Sequence, residues 1–195
     1  MKLYILFVIL FFSVNPNPWT FEKETDGIRA YSRLKHPHSY YEFKTKITLP
    51  NTTIENVVEV INDVASFKDW MVNTEESKIL EVISENEAIG YTVSTTPWPL
   101  SSRDLVFRIT TKKNSATSYS IFLQGMEDHI PEKGSYVRLK SYEASWEIEK
   151  TNTAVTVAHI ASFDPDSSTP AWAIKNSMLS ARIEVMQALR NRVNR

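Results

Sequence analysis

The chain of 195 residues contains no cysteine and only four glycines. Without cysteine it has no thiol nucleophile, no disulfide and no thiolate ligand for a metal. With so few glycines it has no cluster that would let the backbone approach a phosphate, so a nucleotide-binding loop of a familiar kind is not expected. These two absences exclude thiol chemistry and disfavour nucleotide chemistry.

Charge of one sign is also lacking, because 22 basic and 23 acidic residues give a formal net charge of −1. A balanced surface does not attract polyanions over long distances, so no nucleic-acid partner is expected. The four histidines do not converge in the sequence, and neither an HExxH zinc motif nor a nucleophile elbow occurs. The sequence therefore predicts no metal, no cofactor and no catalytic residue. The length fits one domain with its own core, and we expect a monomer.

An apolar run stands at the start of the chain, where Lys2 precedes the ten apolar residues Leu3–Phe12. A helix of ten residues spans roughly 15 Å, about half of the hydrocarbon core of a bilayer. A basic start, a short apolar centre and a polar break are typical of a secretory signal peptide. We predict a signal peptide over residues 1–17, a folded domain over residues 18–195, and a periplasmic or secreted protein. No A-x-A-like pair of small residues marks a cleavage site, so a membrane tether is the alternative.

Behind the leader, apolar residues alternate at period two over most of the chain, which indicates half-buried strands. The predicted strands are Ile28–Arg33, Tyr40–Thr48, Lys78–Ser84, Glu87–Ser94, Leu105–Lys112, Ser118–Gln124, Tyr136–Ser141, Ala144–Lys150 and Ala154–Phe163. The predicted helical segments are about Thr53–Asn62, a turn around Ala65–Trp70, and a long helix from Pro170 to about Asn194. The apolar stripe of the last helix is broad, which predicts contacts on more than one side. The fold class is therefore α+β, with a curved antiparallel sheet of about nine strands wrapped around a long C-terminal helix and a hydrophobic cavity between them.

Several short segments then resemble a known family. They are Trp19, Asp26–Arg33, Asp63-Val64, Asp69-Trp70, Pro97–Val106, Gly134–Arg138, Trp146, Asp164-Pro165, Pro170–Trp172 and Asn176. In this order and spacing they are similar to the START (StAR-related lipid-transfer) domain family, in particular to a bacterial-type exported member. The resemblance implies a helix-grip fold, START/Bet v 1-like, which binds a lipid without a cofactor. Sterol-carrying members of the family share an arginine six residues after the arginine of an Arg-Asp pair. In this chain the pair is Arg103-Asp104, and the residue six positions after Arg103 is Ile109.

Strand parity and the helical stripe predict which side chains line the cavity, since Arg103, Leu105, Phe107 and Ile109 share one face of a strand. The predicted ligand-binding residues are Trp98, Arg103, Leu105, Phe107, Ile109, Ile121, Leu123, Val137, Leu139, Trp146, Trp172, Asn176, Leu179, Ile183 and Met186. The same residue types also form ordinary cores, so either role is open at each position. For Arg103 and Asp104 we favour a structural pair that holds a strand start and a loop over an oxyanion-binding role.

These patterns favour a non-enzymatic carrier that holds a single hydrophobic ligand, a lipid or sterol-like molecule, for transport or sequestration. Release would involve transient contact with a membrane. The alternative is a polyketide cyclase or aromatase-like enzyme on the same fold, in which polar groups such as His159 and Arg103 would meet inside the cavity. A third possibility is a binding protein whose cavity is filled by side chains.

Overall fold

The computed structural model describes residues 18–35, 40–95, 101–164 and 171–194. The predicted signal peptide over residues 1–17 and the predicted cavity residue Trp98 lie outside the described residues.

Strands dominate the described chain, with one helical segment near the start and one long helix at the end. The elements are β1 (Thr20–Thr25), β2 (Ile28–Leu34), β3 (Tyr41–Pro50), α1 (Ile54–Asn62), a 3-10 turn (Val64–Ser66), α2 (Phe67–Trp70), β4 (Thr74–Ser84), β5 (Glu87–Ser94), β6 (Arg103–Ser115), β7 (Ser118–Gly125), β8 (Val137–Arg138), β9 (Lys140–Lys150), β10 (Ala154–Asp164) and α3 (Ala171–Val193).

The strands form one sheet in the order β1-β2-β3-β10-β9-β7-β6-β5-β4, and β8 pairs with β6 off this path. Neighbours along the path are antiparallel, whereas β8 runs parallel to β6. The N-terminal strands join the rest of the sheet through β3, which pairs with the last strand from Pro50 opposite Ala154 to Glu42 opposite Ser162. The predicted α+β, helix-grip class with a mainly antiparallel sheet and a C-terminal helix is confirmed.

The strand prediction differs from the structure in several places. Strand β4 begins at Thr74 and not at Lys78, and β6 covers Arg103–Ser115 and not only Leu105–Lys112. Strand β1 was not predicted, because its side chains are largely exposed on both faces and give no alternation. It pairs with β2 through a tight turn in which Asp26 and Gly27 both have positive φ, as two-residue hairpin turns require. The predicted strand Tyr136–Ser141 is also wrong in its bounds. Only Val137–Arg138 forms β8, and β9 already begins at Lys140.

Helix α1 covers Ile54–Asn62, within the predicted helical segment, and Thr53 is its N-cap. The Thr53 hydroxyl accepts a hydrogen bond from the Asn56 backbone N–H at 3.1 Å. The C-terminal helix α3 is tied down at both ends by polar contacts. Near its start Lys175 pairs with Glu22 at 2.5 Å, and near its end Arg190 donates to the Asp26 carbonyl at 2.9 Å. These contacts fix α3 over the concave side of the sheet.

Gly90 on β5 lies where a larger residue has no room. A methyl group there would be 2.6 Å from the Phe107 Cζ and 2.9 Å from a methyl carbon of Val64. Phe107 cannot move away easily, because its ring is buried and stacks on Phe67 with the planes 7° apart. The close approach of these side chains therefore requires glycine at this position.

We predict that Gly90→Ala lowers the free energy of unfolding by about 1–3 kcal/mol, the usual cost of overpacking a core. Chemical denaturation monitored by circular dichroism measures the change. The matched control is Gly134→Ala, because nothing lies within 4 Å of the added methyl group at that position. Equal stability of the two variants would show that the Phe107 ring is not held in place.

Candidate ligand site beneath the C-terminal helix

The structure brings ten of the fifteen predicted cavity residues into one apolar cluster on the concave side of the sheet. Nine of them are buried and Leu139 packs against them; the nine are Leu105, Phe107, Ile109, Ile121, Leu123, Trp146, Leu179, Ile183 and Met186. They come from β6, β7, β9 and α3, and their positions follow the strand parity of the sequence. Contact between these side chains and a ligand stays a prediction.

Four other predicted residues lie elsewhere. Trp172 and Asn176 are exposed near the start of α3, with 74% of the Trp172 surface accessible. Val137 is 38% exposed, because in β8 the side chain of Arg138 points into the protein and that of Val137 points to solvent. Arg103 is half-buried at the first residue of β6. The structure does not bring these four side chains into the apolar cluster.

The helix does not sit equally close to all of the sheet. The backbone of α3 approaches β3 and β2 most closely, and it also contacts α1 and α2. The concave face of the central strands β6, β7 and β9 therefore faces α3 across a wider gap, which side chains or a guest must fill. Tyr142 on β9 has the properties of a side chain facing such a space. It keeps accessible surface, yet burial raises the pKa of its phenol.

A polar group lies within this largely apolar interior on the seam between β3, β10 and β9. His159 of β10 stands opposite Thr45 on one side and Trp146 on the other. Its ring stacks on the Trp146 indole with centroids 4.0 Å apart and an interplanar angle of 19°. The His159 Nδ1 and the Thr45 Oγ1 are both buried, and neither has a hydrogen-bond partner. Such atoms carry a desolvation cost that a bound polar group would relieve.

Arg182 of α3 projects toward the same seam. Its guanidinium carbon lies 5.9 Å from the Phe163 ring centroid, and its buried Nε makes no hydrogen bond. Burial holds the pKa of His159 well below the usual 6.5, and the Arg182 charge lowers it further. Arg182 is not among the ligand-binding residues predicted from the sequence. A signal existed, because Arg182 lies three residues after Leu179 and four before Met186, on the inner stripe of the helix.

Asp104 forms a buried ion pair, but its partner is Arg138 and not its neighbour Arg103. The Arg138 Nε and one terminal nitrogen donate to the two Asp104 carboxylate oxygens, each at 2.9 Å. The other terminal nitrogen donates to the carbonyls of Glu127 at 2.5 Å and Ile130 at 3.2 Å. The hydrogen bonds with the Asp104 carboxylate raise the pKa of Arg138. The pair fastens the segment between β7 and β8 to the start of β6, which is the structural role predicted for Asp104.

A second, smaller apolar cluster lies on the convex side, under this fastened segment. It consists of Ile89, Tyr91, Val93 and Val106, covered by Leu80, Met126, Ile130 and Tyr136. Burial, followed by the negative charge of Asp104, raises the pKa of Tyr91 to about 12, and its hydroxyl makes no hydrogen bond. This cluster explains why the segment can pack tightly although it has little regular structure.

Within the described residues, no group of three or more His, Asp or Glu side chains is placed to hold a metal ion. None of the described helices combines the length and the apolar character needed to cross a membrane.

Comparison with known proteins identifies the architecture. The family model described as START domain matches residues 13–195. The chain belongs to the START domain family. This assignment accounts for the concave sheet, the gripped C-terminal helix and the apolar cluster between them.

Individual START relatives are distant. The phosphatidylcholine transfer protein of Mus musculus is 26% identical over 182 residues, covering 89% of this chain and 84% of that protein. The crystal structure of a STAR-related lipid transfer protein from Xanthomonas axonopodis has a TM-score of 0.83 at 24% identity, covering 91% of this chain and 99% of that one. The Zhui aromatase/cyclase of Streptomyces has a TM-score of 0.57 at 14% identity, covering 79% and 93%. The two structural likenesses show a shared fold.

Removal of the Arg138 side chain should be costly for this START domain. We predict that Arg138→Met lowers the free energy of unfolding by about 3–5 kcal/mol, because it leaves the Asp104 charge buried without a partner. The matched control is Arg108→Met, which breaks an exposed pair with Glu87 and should cost about 0–1 kcal/mol. Denaturant titration measures both. If the double variant Asp104→Leu/Arg138→Met is no more stable than Arg138→Met alone, the unpaired charge is not the cause.

His159 should make stability depend on pH. Its folded-state pKa is lowered by burial, so below pH 6.5 the unfolded chain binds a proton that the native protein does not. We predict that the free energy of unfolding falls as the pH is lowered from about 6.5 to 5. Protonation of His159 in the unfolded chain should contribute up to about 1.4 kcal/mol per pH unit to this fall.

The variant His159→Phe, which retains an aromatic ring on Trp146, should flatten this slope in denaturant titrations at several pH values. His129→Asn is the control, because His129 lies outside the apolar interior and is largely exposed. Identical slopes for the wild-type protein and His159→Phe would contradict the assignment of a buried neutral imidazole.

Proposed function

We propose that this START domain carries one lipid molecule in the space between α3 and the concave face of β6, β7 and β9. The observation that carries the proposal is the continuous apolar cluster formed by these strands and the helix. Removal of an alkyl chain from water contributes about 0.8 kcal/mol per methylene group, so a chain of about a dozen carbons is held without a charged anchor. The phosphatidylcholine transfer protein among its relatives supports the same class of ligand.

Other depressions on the described surface are poor candidates for a lipid. One lies beside α2 and is lined by residues that include Lys68, Asp69 and Glu75. Another lies at β2, β3 and β10 and is lined by residues that include Arg29 and Lys46. Both are open to solvent and bordered by charged side chains, which would not shield an alkyl chain from water.

The cellular setting is part of the proposal. The basic and apolar start of the chain favours export, so the protein would work in the periplasm or outside the cell, with membrane tethering as the alternative. A lipid carrier must give up its cargo at a membrane, so contact with a bilayer would be transient. Immunoblotting of cell fractions with an antibody against the folded domain would test this location.

Lipid carriage predicts a bound lipid in a stoichiometry near one. Native mass spectrometry of the protein, purified without detergent and then incubated with mixed lipid vesicles, should show the protein mass plus one lipid. We expect Ala144→Phe to reduce lipid loading at least several-fold. Ala144 lies on the concave face of β9, between the neighbouring strands β7 and β10, and a phenyl ring there would occupy the space proposed for the lipid.

Ser145→Phe is the matched control, because Ser145 is the next residue on the same strand and points to the convex side. It adds a ring of the same size and should leave loading unchanged. Equal loading of both variants would place the lipid elsewhere. Failure of the wild-type protein to load any lipid from a broad panel would overturn the proposal.

An enzyme of the aromatase/cyclase type is the second candidate, and the placement of Arg182 near both His159 and Tyr142 favours it. The lowered pKa of His159 makes its imidazole a weak base, and among the described residues no carboxylate is bonded to its Nδ1. A general base works best with a pKa near the working pH. Recovery of the ligand decides between the two functions, because a carrier returns its ligand unchanged in both chromatographic retention and mass, whereas an enzyme does not.

A further inference from the structure

We propose that the polar end of the bound lipid is an oxyanion, a carboxylate or a phosphate, held by Arg182 with His159, Thr45 and Tyr142 as neutral hydrogen-bond partners. This inference rests on the proposed carriage of a lipid and adds the chemistry of its head group. Arg182, His159, Thr45 and Tyr142 are not among the ligand-binding residues predicted from the sequence.

The first argument is the charge of Arg182. A guanidinium remains charged at any physiological pH, and taking part of a charged group out of water is costly unless a counter-charge pairs with it. Arg182 is half-buried, and its Nε is buried completely. Among the described residues no carboxylate lies within ion-pair distance of Arg182, whereas Arg138, whose side chain is buried, pairs with Asp104. The planar fork of an arginine matches the two oxygens of a carboxylate or phosphate. A bound oxyanion would supply the missing partner.

The second argument is the set of buried polar atoms around the guanidinium. His159 is 3% exposed and Thr45 is fully buried, and the His159 Nδ1, the Thr45 Oγ1 and the Arg182 Nε all lack a hydrogen-bond partner. Three unsatisfied groups on facing elements are unusual in a native core. Since a neutral imidazole, a hydroxyl and a guanidinium can all donate, the atoms together fit an acceptor with more than one lone pair.

The third argument is position. Arg182 lies on the inner stripe of α3 between Leu179 and Met186, so it interrupts an apolar face that would otherwise continue. On the sheet side, His159 and Thr45 are flanked by apolar residues of their own strands, including Val157 and Ile47. A polar spot surrounded by apolar surface on both sides suits an amphiphile whose head lies at the spot and whose chain runs along the apolar faces.

The test compares ligands that share a chain and differ in the head. Binding of oleic acid and oleyl alcohol is measured at pH 7.5 by competition with a fluorescent fatty acid, and dioleoyl phosphatidic acid and dioleoylglycerol form the second pair. We expect the wild-type protein to prefer the anionic member of at least one pair, and the pair with the larger preference identifies the carboxylate or the phosphate. Equal affinity for both members of both pairs would overturn the inference.

Arg182→Met keeps the length and apolar bulk of the side chain and removes the charge. We expect it to weaken binding of the preferred anion about tenfold to a hundredfold, as loss of a charge-assisted hydrogen bond does, and to leave the neutral lipid unaffected. Arg182→Lys should restore part of the preference. Arg192→Met, which removes a positive charge from the last turn of the same helix, is the matched control and should keep the preference.

A second readout does not depend on stability. Binding of an anion beside His159 should raise the pKa of its imidazole in an NMR titration, because a negative charge favours the protonated ring. The charge of Arg182, which lowers this pKa, is present in both states. The neutral lipid should leave the pKa unchanged. If Arg182→Met retains the full preference for the anion, the head group lies elsewhere and only this inference fails. If no lipid of either pair binds the wild-type protein, lipid carriage itself fails.

Discussion

The pairing of β3 with β10 is the contact on which the rest of the structure depends. Nine residue pairs, from Pro50 opposite Ala154 to Glu42 opposite Ser162, join the N-terminal strands to the last strand of the sheet. This pairing makes one continuous sheet of two segments that are far apart in the sequence, and it places β2 and β3 under α3. The helix then rests on one part of the sheet while the central strands curve away beneath it. The space proposed for a ligand would thus follow from sheet order and not from any single residue.

The same pairing determines where the interior is polar. His159 and Thr45 face each other across it, on the concave side where their neighbours are apolar, and Trp146 on the next strand covers the imidazole. The unsatisfied atoms cost free energy in the absence of a partner, and the close-packed apolar residues of the two strands must offset that cost. A protein optimised for stability alone would place apolar side chains at these positions. Their polarity therefore supports the proposed binding of a polar group.

The sequence predicts those features that depend on short-range patterns. Alternation at period two identifies the strands with one buried face, and the Thr53 cap marks the start of α1. Strand parity also places Leu105, Phe107 and Ile109 correctly on the concave side. Features that depend on distant partners are not predicted. The parity of Val137 fails because β8 is only two residues long, and the partner of Asp104 lies 34 residues away at Arg138. Trp172 and Asn176 belong to an apolar-looking stripe, but they lie near the start of α3 and are exposed.

Arg182 shows why a pattern of apolar residues can hide a polar residue on the inner side of a helix. The apolar pattern of α3 is defined by Leu179, Ile183 and Met186, and it takes no account of Arg182 between them. A charged residue on the inner face of a helix is nevertheless the more informative observation. An enzyme would need an orienting partner for its imidazole and a pKa near neutrality, whereas His159 has a lowered pKa and an unbonded Nδ1. A guanidinium beside a neutral ring and a hydroxyl can stabilise negative charge without any transfer of protons. This arrangement accounts for polar residues in the interior while requiring no chemistry there, and it therefore favours a carrier over a catalyst.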